Sequence, residues 1–299
     1  MVMIRPGFSD ILAPGLKKVV SLSFNRYPDQ YSKIFNVMSS NKQTEKTSQL
    51  EGAGIAQSKD EGDSINYVDL TQGYDESFTH TTFALGLRIS REMYDDDLYG
   101  QMKKGATFLG RSIKQAMEVT GANIFNNGFT DAAAYHGGDS KPLFSASHPF
   151  ARGGTGSNTP AAAADLSQTT LEAALTSFED TTDSDGLTIQ VIPKTLLVPT
   201  ALRWTASVLL ESQLKSGVAN NDKNPLLDLD LNYMVNNYLT DSDSWYILGD
   251  QNELMYYVRQ APKFGNDDDF DTGDAKFKVV SRFSAGWADW KGVYGVQGA

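Results

Sequence analysis

The 299-residue chain has no cysteine, which excludes disulfides, thiolate nucleophiles and Cys-bound zinc or iron–sulfur sites. Histidine is nearly absent too. His80, His136 and His148 are the whole supply, and no two stand at the i, i+4 spacing of a helix-borne metal pair. Positive charge is in deficit: 26 Lys and Arg face 37 Asp and Glu, for a net −11. A tight grip on a phosphate backbone needs clustered cations, so the balance argues against one. No window approaches 18 consecutive apolar residues, the length a spanning helix needs, so no membrane partner is expected. The opening MVMIRPGFSD lacks the apolar core of a signal peptide, and a cytoplasmic protein is expected. A GxSxG elbow, a P-loop, a GxGxxG fingerprint and internal repeats are missing as well.

What is present is an ordinary globular composition, 40% hydrophobic and 21% charged. The dominant stretch runs from Arg91 to Asn127. Leu98, Met102, Ala106, Leu109, Ile113, Ala116, Met117, Thr120 and Ile124 share one face of a 3.6-residue period. Ser90 is placed to cap the start, Asp95, Asp96 and Asp97 suit the positive end of the dipole, and Gly128 is a stop. Lys103, Lys104, Arg111 and Lys114 are expected on the solvent side. Gly100, Gly105 and Gly110 each cost about 1 kcal/mol relative to Ala, so this helix must be held by packing; a break near Gly105 or Gly110 is the alternative.

Before it, residues 1–47 read as an arm with a short helix near Leu12–Phe24, too poor in apolar residues to form its own core, and so in need of a bed that another subunit could supply. A hairpin follows, with Gly52–Gln57 leading to the charged tip Ser58–Asp63 and a return from Ser64; Phe83, Leu85, Leu87 and Ile89 alternate as a half-buried strand. An isolated two-stranded ribbon is marginal in water, so it packs on a neighbour or moves. After the long helix, 132–164 is a loop. Thr169 with Glu172 reads as a capping box, Asp183-Ser-Asp185-Gly186 as a turn, and Thr188–Ile192 as a buried strand. Thr200 is placed to cap a helix holding Leu202, Ala206, Leu209 and Leu210. Strands are expected at 229–235, 245–248, 254–258 and 277–283, with an acidic loop at 266–269. The sum is α+β, with strands and helices segregated.

Candidate chemistry is thin. His136, His148 and Asp131 form an imaginable ligand set, but His in polar loops is more often simply solvated. The EF-hand-like loop at Thr181 has Ile192 where the twelfth ligand should be Glu; Asp267, Asp269 and Asp271 have Thr272 at the glycine position. No cofactor, metal or catalytic set is selected, and no enzyme is expected.

The order of elements resembles the major capsid protein of tailed bacteriophages, the HK ninety-seven-type shell fold, and among these the Mu-like major head subunits. The residues carrying the resemblance are Ala84–Leu87 with Ile89–Met93 and Asp95-Asp96, then Asn126–Phe129, Pro142–Ser145 and Ser147-His148-Pro149. Asp185-Gly186, Pro193–Pro199, Ala206–Ser212, Trp245–Leu248 and Trp290-Lys291-Gly292 complete the series. The resemblance implies an N-terminal arm at 1–47, an E-loop hairpin at 48–90, and a P-domain at 91–188 including a spine helix at 91–128. It further implies an A-domain at 189–268, a P-domain return strand at 269–288 and a final A-domain strand at 289–299.

The implied function is structural: self-assembly as hexamers and pentamers into an icosahedral shell around packaged double-stranded DNA, without sequence-specific binding. The implied partners are further copies of the chain, a scaffolding protein, a portal and decoration proteins, and the implied location is the virion, assembled in the host cytoplasm. Candidate inter-subunit contacts are Lys59, Asp60, Glu61, Gly62 and Asp63 at the E-loop tip, and Lys215, Ser216, Gly217 and Asn220 in an A-domain loop. An encapsulin-like nanocompartment shell, or a carboxylate-dependent hydrolase, are the alternatives.

Overall fold

The computed structural model describes residues 8–52, 54–90, 92, 93, 96, 100–214, 222–269 and 274–299. In chain order its elements begin with α1 (Phe8–Asn25), β1 (Asn36–Ser39), β2 (Thr44–Glu51), β3 (Thr71–Thr79), β4 (Thr81–Ile89) and the long helix α2 (Gln101–Asn126). Then come β5 (His148–Pro149), β6 (Thr155–Gly156), α3 (Gln168–Glu179), β7 (Pro193–Pro199), α4 (Arg203–Glu211) and β8 (Asn232–Asn236). The series ends with β9 (Trp245–Gly249), β10 (Leu254–Asp268), β11 (Ala275–Trp287) and β12 (Val293–Val296). The chain divides into two units, one made of 1–45, 78–121 and 256–285, the other of 46–77, 122–255 and 286–299.

The first unit is a sheet with strand order β1-β10-β11-β4, packed with α1 and α2. β11 pairs antiparallel with β4 from Ala275 opposite Ile89 to Phe283 opposite Thr81. Its buried Phe277 and Val279 alternate with exposed Lys276 and Lys278, the period-2 pattern of a half-buried strand. They meet Ala106, Leu109 and Ile113 from the helix face expected on sequence, together with Val20 of α1.

α2 starts ten residues later than the pattern suggests. Ser90 does cap, accepting the Met93 N–H at 3.2 Å, but Gly100 has φ +66, which an α-helix cannot contain, so the long helix begins after it. Asp95, Asp97 and Leu98 lie outside the described residues. Gly105 and Gly110 do not break the helix, because both are sites of close approach. A Cβ on Gly105 would sit 2.7 Å from a Leu87 methyl, and one on Gly110 would sit 2.5 Å from the Val20 carbonyl oxygen. The helix cost of these glycines is offset by letting β4 and α1 close in.

Lys114 is not on the solvent side. It is buried, ion-paired with Asp29 and, at 3.7 Å, with Glu118, and lies over the rings of Phe24 and Tyr31. Burial pushes its pKa down while Glu118 opposes the shift. The Glu118 carboxylate also accepts the N–H groups of Gln30 and Tyr31, each at 2.9 Å. Residues 29–31 are thus fastened to the chain's own helix, and α1 spans 18 residues, extending the short helix expected near Leu12–Phe24 at both ends. The described part of the arm finds the bed it was expected to need within its own chain, where another subunit had been the open alternative. Glu118→Gln should cost about 1–3 kcal/mol, because one of the two N–H groups loses its acceptor while Lys114 keeps Asp29. The midpoint of urea unfolding checks it.

The second unit is built on a sheet of order β12-β9-β7-β8. β7 and β8 are parallel, and a parallel pair needs a crossover, which includes α4. Its core joins Leu196, Val198, Trp245 and Ile247 of the sheet to Leu171, Leu175 and Phe178 of α3 and Ala206 and Leu210 of α4. The end of α2 is also here: Tyr246 donates its hydroxyl to the Phe125 carbonyl, and Gly128 leaves room for the Phe144 ring.

Four local expectations are corrected. α3 is capped by Ser167 with Thr170, not Thr169 with Glu172: the Ser167 hydroxyl accepts the Thr170 N–H while the Thr170 hydroxyl accepts the Ser167 N–H. Thr188–Ile192 is not a strand. Its N–H groups go to Thr181, to Ile189 and to the Asp250 side chain, and the strand starts at Pro193. Thr200 opens a 3-10 turn with no side-chain cap. β10 runs on to Asp268, so the first acids of 266–269 end a strand.

Candidate functional site: an exposed ribbon and its anchor

β2 and β3 pair, but between Glu51 and Thr71 the chain leaves the ladder and runs out as a long loop. Its tip is the turn expected from the sequence: Asp63 N–H bonds to the Asp60 carbonyl at 3.2 Å and Gly62 has φ +92. Lys59, Asp60, Glu61 and Asp63 are all exposed. The expectation of strands at 52–57 and from 64 fails among the described residues, which form no ladder there before Thr71. What the loop carries instead is apolar side chains in water: Ile55 is 77% exposed, Tyr67 88%, and Ile65, Val68 and Leu70 are exposed as well. Covering each would stabilise by about 1.5–3 kcal/mol.

The loop's base is held firmly. The buried Glu51 carboxylate accepts the N–H groups of Ala151 at 2.7 Å and Arg152 at 3.2 Å. The Arg152 guanidinium donates to the Thr71 hydroxyl, the Asp69 carbonyl and the Asp185 carboxylate. Arg152 therefore spans the returning strand and the Asp183–Gly186 turn, where Gly186 has φ +75 and Asp183 accepts from Asp185 and Leu187 N–H. Gln49 donates to the Ala288 carbonyl, and Gly138 packs directly on the Asp75 carbonyl.

Beside this contact Glu76 is pushed up to about 7 by burial and by the Asp139 carboxylate, against the N–H groups of Ser77 and Gly138. Its folded pKa lies above the usual carboxylate value, so its contribution is complete at low pH and is lost as pH rises through about 7. Thermal melting should therefore show Glu76→Gln gaining on the natural chain between pH 5 and pH 8, and equal shifts at both pH values would contradict this.

The histidines do structural work. His148 is buried, bonded to Asp139 at 2.6 Å and Asn158 at 3.2 Å and stacked on Trp290 at 4.6 Å. His136 pairs with Asp131 at 2.7 Å. His80 lies 2.9 Å from the hydroxyls of both Ser40 and Ser284. That arrangement is not a nucleophile and base, since the Ser40 hydroxyl donates its hydrogen bond to the Glu45 carboxylate at 2.7 Å, which makes the His80 nitrogen facing it the donor. Among the described residues no group of three His, Asp or Glu could hold a metal ion. The Thr155–Trp290 groove, about 650 Å³, is lined by threonines, serines and the single carboxylate of Asp180.

A family model described as phage capsid protein matches residues 73–296. The chain belongs to this phage capsid protein family. No curated protein matches the sequence. Solved structures agree on the fold. The capsid of Ralstonia phage GP4 superposes with TM-score 0.62 at 10% identity, covering 88% of this chain and 86% of that one. Mycobacterium phage Cain gives 0.54 at 14% identity, with 99% and 96% covered. The virus-like particle from Pyrococcus furiosus gives 0.55 at 11% identity, with 95% and 98% covered.

The capsid protein is thus a structural component of the virion with the HK ninety-seven-type α+β fold, and no enzyme. Its ribbon tip and α1 lie outside the stretch that the family model matches. Of the sequence-derived contact candidates, Lys59–Asp63 lie together at the exposed tip, while Lys215, Ser216, Gly217 and Asn220 lie outside the described residues. The exposed apolar set and the Glu51–Arg152–Asp185 anchor were not read from the sequence. Partners about 30 to 100 positions apart leave no local signal, though Ile55, Ile65 and Tyr67 among polar neighbours were visible.

Proposed function

We propose that this capsid protein assembles as hexamers and pentamers into an icosahedral shell around packaged double-stranded DNA. The observation carrying the proposal is a ribbon firmly anchored at its base, with a run of apolar side chains beyond it that no part of the described chain covers. A monomer gains nothing from such an element, whereas lateral overlap between subunits would bury it.

In this reading 48–90 is the E-loop, 91–188 with 269–288 the P-domain, and 189–268 with 289–299 the A-domain. The tip Lys59–Asp63 and the loop holding Lys215, Ser216, Gly217 and Asn220 meet neighbouring subunits. A scaffolding protein, a portal and decoration proteins act with the shell, and assembly takes place in the host cytoplasm. The excess of acid fits a container for a polyanion, since a lumen of like charge does not trap it.

The enclosed material tests the reading. Particles treated with nuclease outside and then opened should release double-stranded DNA. Particles filled with a protein cargo and no DNA would instead make this a nanocompartment shell.

A further inference from the structure

The two units carry opposite charge. Residues 1–45, 78–121 and 256–285 hold 17 Lys and Arg against 13 Asp and Glu, while 46–77, 122–255 and 286–299 hold 9 against 24. The excess of cations gathers in one place. Residues 8–35 and 101–126, the two helices with the turn after α1, hold eight Lys and Arg against three acids.

Two of those acids, Asp29 and Glu118, are taken up by the buried Lys114. Lys17, Lys18, Arg26, Lys33, Lys104 and Arg111 are exposed, and among the described residues none of them has an ion-pair partner. On the sheet, by contrast, Arg88 is paired with Asp274 and Lys276 with Asp269. α1 and α2 pack on each other, with Gly110 against the Val20 carbonyl and the Ser23 hydroxyl donating to the Thr107 carbonyl at 2.8 Å. The unpaired cations therefore belong to one helical layer.

Their spacing suits a polyanion. Lys104 and Arg111 share a face of α2 and are about 10 Å apart along it, and Lys18 and Arg26 are about 12 Å apart along α1. A duplex carries one phosphate per about 1.7 Å of its axis, so each cation can find a phosphate of its own.

We infer that this helical layer is the wall of the shell that meets the packaged DNA. The ammonium and guanidinium groups contact phosphates, which reads no base sequence. The inference rests on the reading of the shell as a DNA container and names the face of the subunit turned to the genome. α1 lies outside the stretch that the family model matches, so its part stands on the charge of this chain. The acids of the second unit keep each copy negative as a whole, so the hold is shallow and yields to salt.

Formaldehyde cross-linking of intact, DNA-filled particles tests it, read by mass spectrometry of nucleotide-bearing peptides. Lys17, Lys18 and Lys104 should carry nucleotides about tenfold more often than Lys59, Lys194 or Lys223 of the second unit, because only phosphate-contacting amines lie close to the duplex. A second measurement uses empty shells and a fluorescent duplex. Closed shells should leave the duplex free, and shells broken by freezing and thawing should bind it. For K104Q/R111Q shells, seen to be closed by negative stain before breakage, the slope of log affinity against log salt should be shallower by about two.

Cross-links spread evenly over all lysines, an unchanged salt slope, or equal binding by closed shells would overturn the inference and leave the DNA container standing. Cross-links from the layer to an internal protein in place of DNA would overturn it too, and would assign Leu22 and Phe108, exposed among the cations, to a protein partner. Particles that hold no DNA would overturn both readings.

Discussion

Leu109→Asp should yield insoluble protein. Leu109 is 3% exposed, at the centre of a cluster formed with Val20, Ile89, Ala106, Ile113, Ala275, Phe277 and Val279. Loss of the leucine from such a site costs about 2–5 kcal/mol. The carboxylate adds several kcal/mol for desolvation, since none of these neighbours is basic or a donor. Against a total stability of about 5–15 kcal/mol, that is enough to abolish folding. The soluble fraction on expression and the far-ultraviolet dichroism of whatever is soluble provide the check. A soluble, assembling variant would mean that α2 faces its sheet by some other side.

Deleting residues 58–63 should have the opposite profile, a well-folded subunit that does not form shells. The tip is exposed, its turn bond runs between Asp60 and Asp63 alone, and the anchor lies at Glu51, Thr71 and Arg152, all outside the deletion. Shortening a loop changes its closure entropy by only about 0.6 kcal/mol per halving, so the melting temperature should barely move. Shell yield should fall by about an order of magnitude or more if the tip's charges guide association. Shells of normal yield and stability would show that the tip touches no neighbour.

The two variants separate what was legible in the sequence from what was not. The face of α2 could be read because Ala106, Leu109, Ile113 and Met117 obey a single period, and one-sided burial leaves that trace. The strand expected at 277–283, which the structure extends to 275–287, and the turns at Gly62 and Gly186 were equally open, for they depend on neighbours in sequence. Lys114 was misplaced because its burial depends on Asp29, 85 positions away, and no period announces a charge that finds its partner across the fold. The start of α2 was misplaced for a different reason: Gly100 takes a left-handed conformation, and a glycine inside a helical pattern does not reveal whether it will.

At the candidate site the division is the same. The charged tip stood out as turn chemistry. The anchor did not, since Arg152 reaches Asp69 and Thr71 in one distant stretch of chain and Asp185 in another. The marginal stability of an isolated ribbon raised the idea that it packs on a neighbour, and the family resemblance agreed with it. The tip itself lies beyond the matched region, so its role stands on exposure, charge and apolar content.

The most direct test of the central claim is negative-stain electron microscopy of the purified protein alongside its sedimentation profile. Closed shells, or rings of five and six subunits, are the result expected of a self-assembling capsid protein. A compact monomer at high concentration, unchanged by crowding or by a co-expressed scaffold, would contradict it.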